Sequence, residues 1–275
     1  MAPALRIFLY DEPLAATLDV RELGRWLQGR VGAPGEVRPP FTGWALSLLP
    51  DSERPRALDE MALDFARAKV RNAAQRDYSF EPLPGEIAYE RRRLSGESGA
   101  FGLLYDGEFL AVALRRRIAA GERRLSDLHV VLTNQLIGTW EPGDRRYHAR
   151  VSVYSMPSLL STTGVVEAPA KPREFYLLKR QYAALGMDDA AAVELEWRFR
   201  GRFITHDDPR LTEVLKGYVA QASVYALTGE PFCAQKSCRL YNAHWQEELI
   251  EAQLTGPGFC AEHERMLTEL AHGGT

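Results

Sequence analysis

The feature that most constrains this chain is the spacing of its cysteines, because all three of them lie between residues 233 and 263. Four residues separate Cys233 from Cys238, Cys260 follows after a gap of 21 residues, and His263 completes a Cys-x2-His pair. Thiolate and imidazole are ligands that zinc prefers, and three cysteines with one histidine complete a tetrahedral site without an open position. The spacing therefore predicts a structural zinc site.

Two other interpretations of the cysteines remain open at this point. Cys233 could form a disulfide with Cys238, and a sulfur-rich site could hold iron in place of zinc. The Cys-x2-His pair favours a metal over a disulfide, and a lone Cys3His set favours zinc over iron. The odd cysteine count and the absence of a signal-peptide pattern at the first residues predict reduced thiols and a cytoplasmic location.

Composition narrows the classes of protein that the chain can belong to. Hydrophobic residues make up 45% of the 275 residues and charged residues 26%, which is typical of a globular protein. The net charge of -3 provides no general attraction to nucleic acid or to anionic membranes. No apolar run approaches the roughly 18 residues that span a bilayer. We therefore expect neither a membrane nor a nucleic acid as partner.

Strand and helix patterns alternate through residue 155, which predicts an α/β layer architecture. The second half is expected to be mainly helical, and its longest helix should begin at Asp208 and Pro209 and end at Gly229. We treat residues 1–275 as one domain with a sheet part (1–170) and a helical part (171–275). Expected strands are 5–10, 102–107, 128–134, 149–155 and 193–205; expected helices are 18–31, 57–73, 108–119, 172–186 and 245–253, with a further helix after 263, a connection at 32–40 and a turn at 82–85.

The segment around the cysteines resembles the archaemetzincin family, whose pattern is H-E-x-x-H-x-x-G-x-x-H-C-x4-C-x-M-x17-C-x-x-C. Cys233, Cys238 and Cys260 match three of its four cysteines, His263 stands at the fourth, and Leu240 stands at the methionine. The gap before Cys260 is two residues longer than in the family. The resemblance implies a metzincin-like mixed sheet flanked by helices, with a structural zinc clipping the C-terminal segment.

The catalytic half of the same pattern is missing from this chain. The three histidine positions hold Ala222, Ala226 and Phe232, the glutamate position holds Ser223, and only Gly229 matches. A zinc peptidase needs two imidazoles at positions i and i+4 of one helix and a carboxylate to activate the metal-bound water. The resemblance thus implies the fold and the structural zinc, while these residues argue against the usual chemistry.

Histidines elsewhere keep a second possibility open, an active zinc peptidase with relocated ligands. Its candidate ligands and catalytic residues are His148, His206, Asp207, His244 and Glu247. For each of them an ordinary structural role is the alternative, as it is for His129, which heads an apolar strand and is expected to be buried with its hydrogen bonds satisfied.

The expected function is that of a non-catalytic binding or regulatory relative of zinc peptidases, recognising a peptide or protein. The active peptidase with relocated ligands is the first alternative. The second is a nucleic-acid-binding zinc protein, suggested by arginine clusters such as residues 91–93 and 115–117 but disfavoured by the net charge.

Overall fold

A computed structural model describes residues 5–33, 35–96, 102–187, 193–195, 197–256 and 258–273. The strands are β1 (Arg6–Tyr10), β2 (Gly35–Arg38), β3 (Leu104–Asp106), β4 (Asp127–Thr133), β5 (Leu136–Glu141), β6 (Arg146–Arg150), β7 (Ser152–Val153) and β8 (Ser158–Ser161). The helices are α1 (Val20–Val31), α2 (Phe41–Ser47), α3 (Arg54–Ala68), α4 (Pro84–Leu94), α5 (Gly107–Arg115), α6 (Thr162–Glu167), α7 (Arg173–Ala184), α8 (Leu211–Thr228), α9 (Gln246–Ile250) and α10 (Ala261–Gly273). A 3-10 turn (Ala120–Glu122) precedes β4, and a π turn (Glu251–Thr255) follows α9.

Five strands form the main sheet in the order β2-β1-β4-β8-β7. The first four are parallel, and the short strand β7 pairs antiparallel with β8 at one edge. A second sheet, ordered β3-β5-β6, adds a parallel pair and an antiparallel hairpin. Helices flank the sheets, so the α/β class expected from the sequence is confirmed.

Strand β4 shows how the sheet separates two apolar cores. Its side chains alternate between the faces, and Leu128, Val130 and Leu132 pack with α1 and α8. Val131 points to the opposite face and packs with α2, α3 and α5. His129 lies on that opposite face, fully buried, and its ring nitrogens lie 2.8 Å from the Tyr10 hydroxyl and 2.8 Å from the carbonyl oxygen of Glu122. The expectation of a buried, satisfied imidazole is confirmed.

Helix α8 is the central element of the C-terminal half. Every residue from Leu211 to Val224 except Glu213 is buried, since the helix packs against α1, β4 and the π turn. It ends at Gly229, which adopts a left-handed conformation with φ 79° and donates its N–H to the Tyr225 carbonyl. This termination agrees with the sequence expectation. Within the part of the chain that the structure describes, no helix has both the length and the apolar character needed to cross a membrane.

Residues 193–205, which the alternating pattern predicts to be a strand, show the largest difference from expectation. Residues 193–195 and 197–198 are helical instead. Leu195, Phe199 and Phe203 recur every four residues, and they bury one face against α7. The same apolar positions fit a two-residue and a four-residue period, and packing on α7 decides between them.

Smaller differences concern element ends. The connection at 32–40 contains β2, and the turn expected at 82–85 begins α4 with Pro84 in its first turn. The strand expected at 149–155 divides into the end of β6 and β7, the helix expected at 57–73 ends at Ala68, and α8 begins at Leu211. The carboxylate of Asp208 accepts the backbone N–H of Arg210 at 2.9 Å and so organises the turn before this helix.

Two glycines near the end of α1 provide a test of how closely α1 and α10 approach. Gly32 has φ 67°, and a Cβ atom there would lie 2.7 Å from the Cα atom of Ala271. We expect Gly32→Ala to lower the free energy of unfolding by at least about 1 kcal/mol, because it meets both backbone strain and a backbone clash. Gly29→Ala is the control, because residue 29 lies in the helix and no atom lies within 4 Å of the new Cβ. Urea unfolding should show that Gly29→Ala is as stable as the wild type or more stable by up to about 1 kcal/mol. A similar loss of unfolding free energy in both variants would contradict the close approach of α1 and α10.

Candidate metal centre

The first two cysteines lie on a tight loop directly after α8. Beyond Gly229, Cys233 donates its backbone N–H to the Leu240 carbonyl at 2.9 Å, and Cys238 donates its own to Gln235 at 3.0 Å. These bonds fold residues 233–240 back on themselves and turn both thiols to the same side. The loop thus presents two sulfur atoms side by side at the end of the longest helix.

The other two side chains come from the start of α10. Cys260 immediately precedes this helix and accepts the backbone N–H of Glu264 at 2.8 Å, which places His263 in its first turn. The two segments are joined by the N–H of Arg239, which donates to the Gly258 carbonyl at 2.8 Å. A backbone contact therefore fixes one pair of ligands relative to the other.

The four side chains converge on one point. One ligand atom from each of Cys233, Cys238, Cys260 and His263 lies within 4.8 Å of every other. Two of the separations, Cys233 Sγ to Cys260 Sγ and Cys238 Sγ to His263 Nδ1, are both 3.9 Å. A tetrahedral zinc ion with bonds of about 2.3 Å to sulfur and about 2.0 Å to nitrogen separates its ligands by about 3.5–3.8 Å. The separation of Cys260 Sγ and His263 Nδ1, 3.0 Å, is shorter than this. The arrangement is compatible with a metal ion.

All three cysteines are free thiols, so the disulfide between Cys233 and Cys238 that the sequence left open is not formed. Cys238 and Cys260 are buried and Cys233 is partly so. Backbone N–H groups of Gln235 and Cys260 point at the sulfurs of Cys233 and Cys238, at 3.4 and 3.5 Å. Such donors stabilise sulfur in its thiolate form, which is the form that binds metal.

Protonation of the thiols follows from their surroundings. Burial raises the pKa of Cys233 and raises the pKa of Cys238 to about 12. Burial also acts to raise the pKa of Cys260, but hydrogen bonds with the backbone and ring of His263 outweigh it and bring the value to about 7. In the protein alone two of the three thiols therefore stay protonated, and a bound cation would favour the thiolates through its charge.

Core packing connects this group to the rest of the domain. Leu240, Phe259 and Leu267 are buried in the same apolar core as α1 and α8. The ring of Phe259 stacks on Trp26 of α1 with a centroid separation of 6.2 Å. An ion pair of 2.6 Å between Arg30 and Glu264 also joins α1 to α10.

The helix positions that resemble a peptidase motif carry no metal ligand. Ala222 is fully buried, and the Ser223 hydroxyl donates to the Val219 carbonyl one turn earlier, at 3.0 Å. The ring of Phe232 lies edge-on to Tyr154, with centroids 5.9 Å apart. At Ala222 and Ser223, side chains in the core or bonded within the helix therefore occupy positions where an imidazole and a carboxylate are required. At Phe232 a partly exposed aromatic ring stands at the third histidine position.

A cavity of about 440 Å³ lies beside these positions. Tyr218 and Phe232 form its aromatic wall, and the edge strand β7 contributes Ser152. His148 and His244, two of the proposed relocated ligands, also line it. Tyr218 is buried on α8, and helical periodicity in a sequence predicts such a buried face but not a cavity next to it.

The candidate relocated ligands do not converge on one point, and most of them contact other residues. His148 Nε2 lies 2.8 Å from Asp144 Oδ2 in an ion-pair contact, and His206 Nε2 lies 3.7 Å from Glu167. Glu247 pairs with Arg202, and Asp207 occupies a turn with φ 56°. Among the described residues, only the cysteine–histidine group brings three or more potential ligands within range of one metal ion.

Metal content tests this centre directly. We expect one metal ion per chain in protein purified without added metal, and none in Cys260→Ser, because three remaining ligands hold a structural ion far more weakly. His206→Ala is the control and should keep the ion, since His206 lies outside the group. Elemental mass spectrometry measures all three proteins. An ion that survives Cys260→Ser but is lost in His206→Ala would place the centre elsewhere.

Comparison with known proteins places the whole chain in a family. Residues 3–270 match the Probable metallopeptidase family (DUF6775). Comparison with curated proteins gave no match, and comparison with solved structures gave none either. The match extends over nearly the full length, from before β1 into α10. The chain therefore belongs to the Probable metallopeptidase family (DUF6775).

Proposed function

We propose that this chain is an archaemetzincin-like member of its family that has lost peptidase chemistry and acts as a binding or regulatory protein. The observation that carries the proposal is the pair Ala222 and Ala226, which stand where a zinc peptidase needs two imidazoles. A mixed sheet with one antiparallel edge strand, followed by a long helix that ends in glycine just before the cysteines, supports a metzincin-like fold.

Zinc is the metal that the cysteine–histidine group would hold. Three thiolates and one imidazole form a closed tetrahedral set, which suits zinc and leaves no position for substrate or water. Bound there, zinc would supply a crosslink between the loop after α8 and the start of α10. Reduced thiols of this kind also fit the cytoplasmic location expected from the sequence.

The cavity beside α8 is the proposed binding site for a peptide or protein segment. Strand β7 is the last strand of the main sheet, and its outer side pairs with no further strand of that sheet among the described residues. An extended peptide could add to this edge through backbone hydrogen bonds, with its side chains against Tyr218 and Phe232. This mode requires shape and backbone pairing but no catalytic metal.

One observation favours a second candidate, an active peptidase with relocated ligands. His148 and His244 come from distant parts of the chain and line the same cavity. Two imidazoles supply only two of the protein ligands that a catalytic zinc ion needs. A third ligand or a bound substrate would have to complete the coordination of the metal.

Hydrolysis assays separate the two candidates. We expect no chelator-sensitive cleavage of casein or of a fluorogenic peptide library, because neither the helix motif nor a second ligand group is present among the described residues. The double variant His148→Ala/His244→Ala serves as the matched control and should give the same background rate. Cleavage that phenanthroline abolishes and that the double variant lacks would establish the peptidase instead.

Peptide binding tests the cleft. We expect fluorescence anisotropy to detect binding of extended hexapeptides from a defined library, and Asn242→Trp to weaken it at least about tenfold by filling the cavity. Asn242 is exposed and lines the cavity, so this change leaves the core intact. Gln181→Trp places the same side chain on exposed α7 and should have no effect. If Asn242→Trp and Gln181→Trp bind the peptides with equal affinity, the cavity beside α8 is not the peptide-binding site.

A further inference from the structure

A second cavity, of about 410 Å³, opens at the carboxyl end of the parallel strands and shares no lining residue with the cavity beside α8 or with the metal centre. Asp11 and Glu12 follow β1 at this edge, and Asn134 and Gln135 follow β4. Ligands of open α/β sheets bind at the carboxyl ends of the strands. Its volume falls in the range of small-molecule sites, about 300–1,000 Å³.

The walls of this cavity are mainly apolar. Helices α2, α3 and α5 supply one side and the sheet supplies the other. The apolar lining residues include Phe41, Phe65, Leu110, Leu114, Val131 and Leu159. A ligand that fills this space must therefore present a hydrocarbon body of moderate size.

Three charged side chains of the described residues line the cavity, namely the carboxylates of Asp11 and Glu12 and one cation. Arg93 of α4 lines the cavity and is only 8% exposed. Its Nε donates to Glu90 at 2.8 Å, and its guanidinium carbon lies 4.9 Å from the centroid of Phe65. Its Nη2 atom is buried and has no hydrogen-bond partner among the described residues. A buried donor without an acceptor is costly, by about 1–3 kcal/mol, so this atom marks a place where an acceptor belongs.

The charges around Arg93 indicate what kind of hydrogen-bond acceptor would suit its Nη2 atom. Glu90 is fully buried, and it also forms an ion pair of 2.8 Å with Lys69 and accepts the Tyr105 hydroxyl at 2.9 Å. Two cations therefore share one carboxylate, and the group as a whole has one positive charge in excess. Buried charges are normally paired, and a monovalent anion would complete this group.

Glu12 lines the same cavity and is close enough for a favourable electrostatic interaction with Arg93, but its carboxylate oxygens are engaged elsewhere. Its two carboxylate oxygens accept the backbone N–H groups of Leu14 and Asn134, at 3.1 and 2.9 Å. No ion pair forms between Glu12 and Arg93, which would need a separation within 4.0 Å. Its nearby negative charge disfavours phosphate and other multiply charged anions more than it disfavours a single carboxylate.

We propose that this cavity binds a small monocarboxylate with an apolar body. Its carboxylate accepts hydrogen bonds from Nη2 of Arg93, and its hydrocarbon part lies between Phe41, Phe65 and the leucines of α5. The site is independent of the metal centre and of the peptide cleft, so it stands whether or not the proposed function holds.

Calorimetric titration with paired probes tests the proposal. The acids are octanoate and phenylacetate, and their neutral counterparts of equal shape are octanamide and phenylacetamide. We expect at least one acid to bind with an affinity about ten- to a hundredfold higher than its amide, because a buried charged hydrogen bond is lost in the amide. Equal affinities for acid and amide, or no binding of either acid at millimolar concentration, would overturn it.

Three variants assign the effect to the site. Arg93→Gln should abolish the preference for acid over amide, while Lys69 still neutralises Glu90. Arg91→Gln is the control; Arg91 is exposed, pairs with Asp59 at 2.6 Å and does not line the cavity, so the preference should persist. Gly43→Trp covers the mouth without touching the ion pairs and should weaken acid and amide alike, since no atom lies within 4 Å of a Cβ there. An unchanged acid preference in Arg93→Gln contradicts the assignment even if Gly43→Trp blocks binding.

Discussion

The burial of α8 is the constraint on which the C-terminal half of the structure depends. From Leu211 to Val224 every residue except Glu213 is buried, because the sheet, α1 and the π turn surround the helix. Its close approach to the π turn requires Gly217, against which the side chain of Gln253 lies. A helix enclosed in this way determines where the chain emerges at Gly229 and hence where the first two cysteines stand.

The same burial gives a physical meaning to the altered motif. In a peptidase this helix must turn polar groups toward a metal, which leaves part of it hydrated or metal-bound. Here Ala222 is sealed in the core and Ser223 satisfies its hydroxyl within the helix, so no polar side chain at these two positions requires a metal or solvent. The metal-compatible group lies beyond the end of the helix, where it brings together the loop after α8 and the start of α10.

The sequence could predict those parts of the structure that depend on residues close together along the chain. The spacing of Cys233, Cys238, Cys260 and His263 indicated their convergence, and Gly229 marked the end of α8. The buried strands β1 and β4 were visible as apolar runs. In contrast, Leu195, Phe199 and Phe203 satisfy two periodicities at once, and only contact with α7 selects the helical one. The arrangement of Lys69, Glu90 and Arg93 leaves no sequence signal, because it joins the end of α3 to α4 through tertiary packing.

The contact between Gly32 and Ala271 links the two ends of the chain. It lets α10 lie directly on the end of α1, which in turn packs on β2 and α8. An ion bound by Cys260 and His263 at the start of α10 is therefore a ligand of the folded domain as a whole. By mass action its binding free energy adds to the stability of the N-terminal sheet as well as to that of the segment that holds it. Availability of the metal in the cell would then affect the lifetime of the entire protein, because loss of the ion would remove this contribution to its stability.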